Sequence, residues 1–224
     1  MCAKLESKKI KKGDFIELDY TGRMDDGTVF DTTIKKIAEA NNLNKKVDYK
    51  PVVICVGESH ILPALEEGLE GKKLGKHSFN LEPENAFGKK SAKMLKLVPL
   101  KVFKKQDIVP YNGLEVNVDG MFGIVRSASG GRIIVDFNHP LSGRNLSYDL
   151  NVKSFIADDK AKLESLLKLT RVHYDSVSVK DKKAVIVLDH DIQKEIKDDF
   201  EKKVLETIKL KHFDYIIKKK TTKQ

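Results

Sequence analysis

Residues 15–20 place Ile16, Leu18 and Tyr20 on one side and Glu17 and Asp19 on the other, the period of two expected of a half-buried strand. Asp25-Asp26-Gly27-Thr28 follows as a tight hairpin turn, because Gly27 accepts a positive φ, and Val29-Phe30-Asp31 opens the return strand. Residues 33–46 are polar and helix-prone and read as an excursion from the sheet. Residues 52–56 form a continuous apolar strand closed by Gly57. Ile61-Leu62-Pro63 then enters a short helix over 63–69, with proline in its first turn and Gly71 beyond its end. Residues 77–81 predict another strand, with Phe79 and Leu81 on one face, and 83–88 a loop ending in Ala86-Phe87-Gly88.

Residues 89–138 change character. Turns at Asn112-Gly113, Asp119-Gly120 and Gly130-Gly131 separate β-prone runs at 114–118, 121–127 and 132–137. These runs carry their own apolar set, Val116, Val118, Phe122, Ile124, Val125, Ile133 and Val135, so the block reads as a small β unit. Residues 146–156 resume a long alternating strand through Leu146, Tyr148, Leu150 and Val152. The last third reads αββαβ: a helix over 158–170 opened by acids that suit its dipole, strands at 172–179 and 184–189, a helix over 193–208 and a strand at 213–217. From Lys218 the chain is a charged end expected to fray.

Composition narrows the class. The 224 residues suffice for one large domain or two to three small ones, and 40% hydrophobic with 33% charged residues excludes disordered and fibrous chains. No apolar run approaches the roughly 18 residues of a membrane span. The first twelve residues hold five lysines and no apolar stretch, unlike a secretory signal. Cys2 and Cys55 make neither a disulfide framework nor a zinc spacing, so a reducing cytoplasm is the expected setting.

The net charge of +9 is unevenly spread. Residues 1–88 with 139–155 balance at 16 basic and 16 acidic side chains, residues 89–138 hold 9 and 4, and residues 156–224 hold 17 and 13. A solvated surface and a footprint for an acidic partner both fit this excess. In the last third acids alternate with lysines and no aromatic stacking platform lies on the strands, which argues against nucleic acid. Asp189-His190-Asp191 reads as a strand-to-helix turn rather than a metal set.

Five motifs fall in a telling order: Tyr20-Thr21-Gly22; Val29-Phe30-Asp31; Val56-Gly57 with Ile61-Leu62-Pro63-Ala64-Leu65-Glu66-Glu67-Gly68; Pro83-Glu84-Asn85-Ala86-Phe87-Gly88; and Asn145-Leu146-x-Tyr148-x-Leu150. Together they resemble the FKBP-type peptidyl-prolyl isomerases over residues 12–156. The block after Gly88, and its return through Asp136-Phe137-Asn138-His139-Pro140-Leu141, resembles the SlyD-type members that carry an insert-in-flap chaperone domain. The excursion at 33–50 and the added domain after 156 resemble the long archaeal FKBP-type chaperones. Leu65 stands where many eukaryotic members have tryptophan, and Phe87 where tyrosine is common.

The resemblance implies an α+β fold, an FKBP-like antiparallel sheet wrapped on a short helix, with isomerase domain 1–88 and 139–155, insert 89–138 and a C-terminal αββαβ domain 156–224, which the acidic, polar link at 157–159 and the end of the motif set before it mark as separable. It implies a pocket of Tyr20, Phe30, Asp31, Ile61, Leu62, Leu65, Phe87 and Tyr148, with His139 and Leu141 on the substrate-binding rim. Asp31 accepts a hydrogen bond, sets the field at the substrate carbonyl, or only caps a turn. No metal or other cofactor is expected, because rotation about an amide makes and breaks no covalent bond. The implied partners are unfolded or nascent polypeptides containing proline and, through the C-terminal domain, a second copy of the chain. A non-catalytic client-binding or ribosome-associated module that keeps the same fold is the alternative.

Overall fold

In the computed structural model, which describes residues 8–218, the elements follow in chain order. Cys2, the start of the lysine-rich segment and the charged end beyond Lys218 lie outside the described residues. Strand β1 (Phe15–Met24) turns at Gly27, φ +82°, into β2 (Val29–Thr32), and α1 (Lys35–Ala40) occupies the polar excursion. Next come β3 (Val52–Cys55), α2 (Pro63–Leu69) and β4 (Gly75–Leu81). Then follow β5 (Leu95–Pro99), α3 (Leu100–Lys104), β6 (Glu115–Val118), β7 (Met121–Ser129) and β8 (Arg132–Asp136). The chain ends with β9 (Leu146–Phe155), α4 (Asp159–Leu169), β10 (Ser176–Lys180), β11 (Lys183–Leu188), α5 (Lys194–Thr207) and β12 (His212–Ile217). Among the described residues no helix is long and apolar enough to cross a membrane.

The chain groups into two compact units, Leu81–Leu146 and the residues on either side of it. The flanking unit holds a five-stranded sheet in the order β2-β1-β9-β4, with β3 also beside β1. β1 is long enough for two antiparallel partners, β3 along its first half (Phe15↔Cys55, Leu18↔Val52) and β2 along its second (Thr21↔Thr32, Gly22↔Asp31). Helix α2 buries Leu65 and Leu69 and lies over β4 so closely that a Cβ at Gly68 would meet the Phe79 ring at 2.4 Å.

The same unit contains the C-terminal elements. β11 pairs antiparallel with β10 and parallel with β12. Ala184, Ile186 and Leu188 of β11 join Leu163, Leu166 and Leu167 of α4 and Phe200 and Val204 of α5 in one core. Phe15 of β1 and Cys55 of β3 are buried in that core too, with Val53 and Ile156 packed against it. At Phe15, Val53 and Cys55 the starts or ends of β1 and β3 are therefore covered on a second face by the C-terminal core. Asp158 caps α4, accepting from the Ala161 N–H at 2.9 Å.

The unit Leu81–Leu146 holds a four-stranded antiparallel sheet in the order β5-β8-β7-β6. β5 and α3 extend the insert beyond the three runs read from sequence. Val98, Phe103, Val116, Val118, Val125, Ile133 and Val135 form its core. Its neck is clasped by Asn138, whose amide nitrogen donates to the Ser91 carbonyl at 3.1 Å while its oxygen accepts from the Ser91 N–H at 2.8 Å.

Candidate active site

The hairpin β1–β2 and strand β9 bring four of the expected pocket residues together. The Tyr20 hydroxyl donates to Asp31 Oδ2 at 2.9 Å. The Tyr148 ring stands edge-on to Phe30, centroids 5.7 Å apart at 85°, and 6.3 Å from Tyr20. Gly22 makes this approach possible, since a Cβ there would lie 2.7 Å from Phe30 Cζ and 2.9 Å from Tyr148 Cε1. Burial, then the Asp31 charge, raise both tyrosine hydroxyls above their ordinary values. Tyr20 thus remains a donor throughout the physiological pH range. Asp31 is exposed and does accept a hydrogen bond.

Ile61 and Leu62 lead into α2, and Leu65, 2% exposed, lies in its first turn. Their loop is organised by Glu66, a residue of the same motif. Its carboxylate is 2% exposed and accepts three backbone N–H groups: Gly57 at 2.6 Å and Ser59 at 3.1 Å on Oε2, and Ile61 at 3.0 Å on Oε1. A buried carboxylate is tolerable when several donors surround it, and here the donors come from the loop it holds. An acid in the first turn of a helix, just after a glycine-bearing loop, is the local signal that could have found it.

Behind that loop, His60 Nδ1 accepts from the Cys55 N–H at 3.0 Å. Burial, then the Lys203 charge, lower His60 to about 4, so the ring is neutral with its proton on Nε2. Burial, then the Glu58 and Glu66 charges, push the Cys55 thiol up to about 12, which leaves it unreactive.

Phe87, His139 and Leu141 belong to the other compact unit and cluster there. The Phe87 and His139 rings stack with centroids 4.4 Å apart and planes 1° from parallel. His139 Nδ1 accepts from the Leu141 N–H at 3.2 Å, and Ser142 Oγ donates to the Phe87 carbonyl at 2.8 Å. His139 also lines a hollow of about 230 Å3 with Lys90, Arg126, Asp136 and Arg144. Within it, burial pushes the Asp136 carboxyl up, but hydrogen bonds from Asn138 and Arg126 outweigh it and hold the group below the usual carboxylate range. Among the described residues no cluster of three or more His, Cys, Asp or Glu side chains could hold a metal ion.

The family model described as FKBP-type peptidyl-prolyl cis-trans isomerase matches residues 6–104, and that of the FKBP26 IF domain matches residues 96–141. The chain is 30% identical over 156 residues to the FKBP-type 16 kDa peptidyl-prolyl cis-trans isomerase of Escherichia coli, covering 65% of this chain and 93% of that protein. It is 27% identical over 146 residues to the short-type peptidyl-prolyl cis-trans isomerase of Methanocaldococcus jannaschii, covering 64% and 92%. With the SlyD isomerase of Haemophilus influenzae the identity is 28% over 163 residues, 70% and 77% of the two chains. By this span of likeness the chain belongs to the FKBP-type peptidyl-prolyl cis-trans isomerases, a mixed α+β fold family, and is an isomerase of X–Pro bonds.

Proposed function

We propose that residues 1–88 and 139–155 isomerise X–Pro bonds of unfolded or nascent proteins in the cytoplasm, that 89–138 hold those clients, and that 156–224 form an accessory domain. The observation that carries the catalytic assignment is the Tyr20–Asp31 hydrogen bond set beside the Phe30–Tyr148 ring pair, a fixed aromatic surface with one polar handle. The planar amide resists rotation by about 18–20 kcal/mol because resonance separates charge along it. The twisted amide has less charge separation and loses less on leaving water, so an apolar cup lowers the barrier. Phe30, Tyr148, Ile61 and Leu62 wall the proline ring and Leu65 floors it. Asp31, fixed by Tyr20, sets the field at the rotating carbonyl. Phe87, stacked on His139 within the other unit, is assigned to catalysis by its motif, and His139 and Leu141 are assigned to substrate contact.

Client holding rests on the outer face of the insert sheet. Opposite the core residues, Leu95, Leu97, Ile134, Ile124 and Phe122 share one face by register, and Leu97 and Phe122 are 57% and 52% exposed. Covering each half-exposed side chain contributes about 1 kcal/mol, enough for weak, reversible capture of extended apolar segments. Holding a client beside a catalyst raises its effective concentration. A second copy of the chain is the partner for the open face of the C-terminal sheet, where Val187 pairs with the exposed Ile216; sedimentation tests that state.

The deciding experiment compares tetrapeptide turnover with proline-limited protein refolding in three chains: the parent, Asp31→Ala, and one with residues 92–137 replaced by a short Gly/Ser link across the Ser91–Asn138 clasp. Asp31→Ala should slow both reactions by roughly ten- to a hundredfold, about 1.4–2.7 kcal/mol. The linked chain should keep tetrapeptide turnover and lose the advantage on protein. An unchanged ratio of the two activities would remove the client role from the insert.

A further inference from the structure

None of the residues after 156 belongs to the motifs of the isomerase, yet their core reaches the loop that carries Ile61. Cys55, the last residue of β3, has its side chain fully buried in the C-terminal core while its N–H fastens His60. The following stretch, Gly57 to Ile61, is drawn from one side onto Glu66 of α2. On the other side, Lys203 of α5 brings its Nζ to 4.0 Å from Glu58 Oε2, each side chain about one-third exposed. Val204, the next residue of α5, is fully buried in the same core as Cys55, so the helix cannot shift without disturbing that core. Inside the bend, His60 Nε2 is buried and has no hydrogen-bond partner among the described residues, and it lies within the field of Lys203.

We propose that Lys203 is a positioning residue for the isomerase: by holding Glu58 it keeps the 57–61 loop seated on Glu66 and thereby fixes the Ile61–Leu62 wall of the pocket. The accessory domain is then part of the machinery that sets turnover, and a displacement of α5 changes the rate. This rests on the assignment of Ile61 and Leu62 to the pocket.

The test uses the full chain with Lys203→Glu, Lys203→Arg, and Lys203→Glu combined with Glu58→Lys. The readouts are kcat and KM on a proline tetrapeptide, amide exchange at Gly57, Ser59 and Ile61, and the titration of His60 followed by magnetic resonance. Lys203→Glu should lower kcat/KM about two- to fivefold, speed exchange at the three amides, and raise the His60 pKa by removing a neighbouring positive charge. Lys203→Arg should behave as the parent, and the exchanged pair should recover the lost activity. If Lys203→Glu does not fold, Lys203→Gln, which only removes the charge, carries the same reading. Unchanged turnover and exchange in the folded variant, or a loss that the exchanged pair leaves unrestored, overturns the proposal. A wrong pocket assignment shows itself separately, as Ile61→Ala turning over substrate like the parent while the three amides still respond to Lys203→Glu.

Discussion

Glu66→Gln keeps the shape of the side chain and removes its charge. The amide oxygen can take the place of Oε2 and keep the Gly57 and Ser59 donors, but the amide nitrogen then faces the Ile61 N–H across 3.0 Å, donor against donor. Two charge-assisted hydrogen bonds become neutral, a loss of about 1 kcal/mol each, and one buried N–H is left unpaired at about 1–3 kcal/mol. Burying an amide costs less than burying a carboxylate, so the net expected loss is about 2–4 kcal/mol. For a unit of this size that lowers the melting midpoint by roughly 5–15 °C. Because Ile61 itself loses its anchor, tetrapeptide turnover should fall by about tenfold or more, the equivalent of 1.4 kcal/mol. Glu67→Gln is the control, the same charge change one residue along on the exposed side of α2. Thermal melts and turnover on both variants decide the matter. A Glu66→Gln chain matching Glu67→Gln in midpoint and rate would refute the argument.

Gly22→Ala should leave a folded chain whose Phe30 and Tyr148 rings are forced apart, costing about 1–3 kcal/mol and lowering turnover with client holding intact; aggregation and turnover assays separate the two. Tyr20→Phe removes the donor to Asp31 and should slow turnover about fivefold, measured against the tetrapeptide. Asp136 has a folded pKa below its unfolded value of about 3.9, so its stabilisation is complete above that value and is lost as pH falls through the folded one. Asp136→Asn should therefore weaken the insert at neutral pH and flatten its acid-unfolding limb, followed by circular dichroism; an unaltered acid limb would count against it.

The elements that alternate cleanly were legible, because period two along 15–20 and 146–156 reports one buried face. So were the turns at Gly27 and Gly113, where positive φ is required. β5 is not marked by the pattern, because Leu95 and Leu97 alternate with Lys96 but both leucines face outward, and Val98 alone is buried. The pocket residues were legible only as motifs in order, since nothing in a single Tyr20 or Phe30 distinguishes a cup from a core. For Glu66 the sequence offers only an acid in a first helical turn; that its three partners are backbone groups of the loop before it is a fact of conformation. The shared core with the C-terminal helices left a trace in the unbroken apolar run at 52–56, the composition of a strand buried on both faces, and adjacent burial at Phe15 and Ile16 repeats it.

The double-sided burial of β1 and β3 has a consequence for synthesis on the ribosome. Phe15 and Cys55 emerge early, whereas the residues that cover them, from Leu163 to Leu210, emerge about a hundred or more positions later. At translation speeds of roughly 5–20 residues per second, the outer side of that sheet stays bare for about five to forty seconds. During this interval the nascent isomerase is itself an incompletely folded chain with exposed apolar surface. It stays open to non-native association until the C-terminal helices arrive.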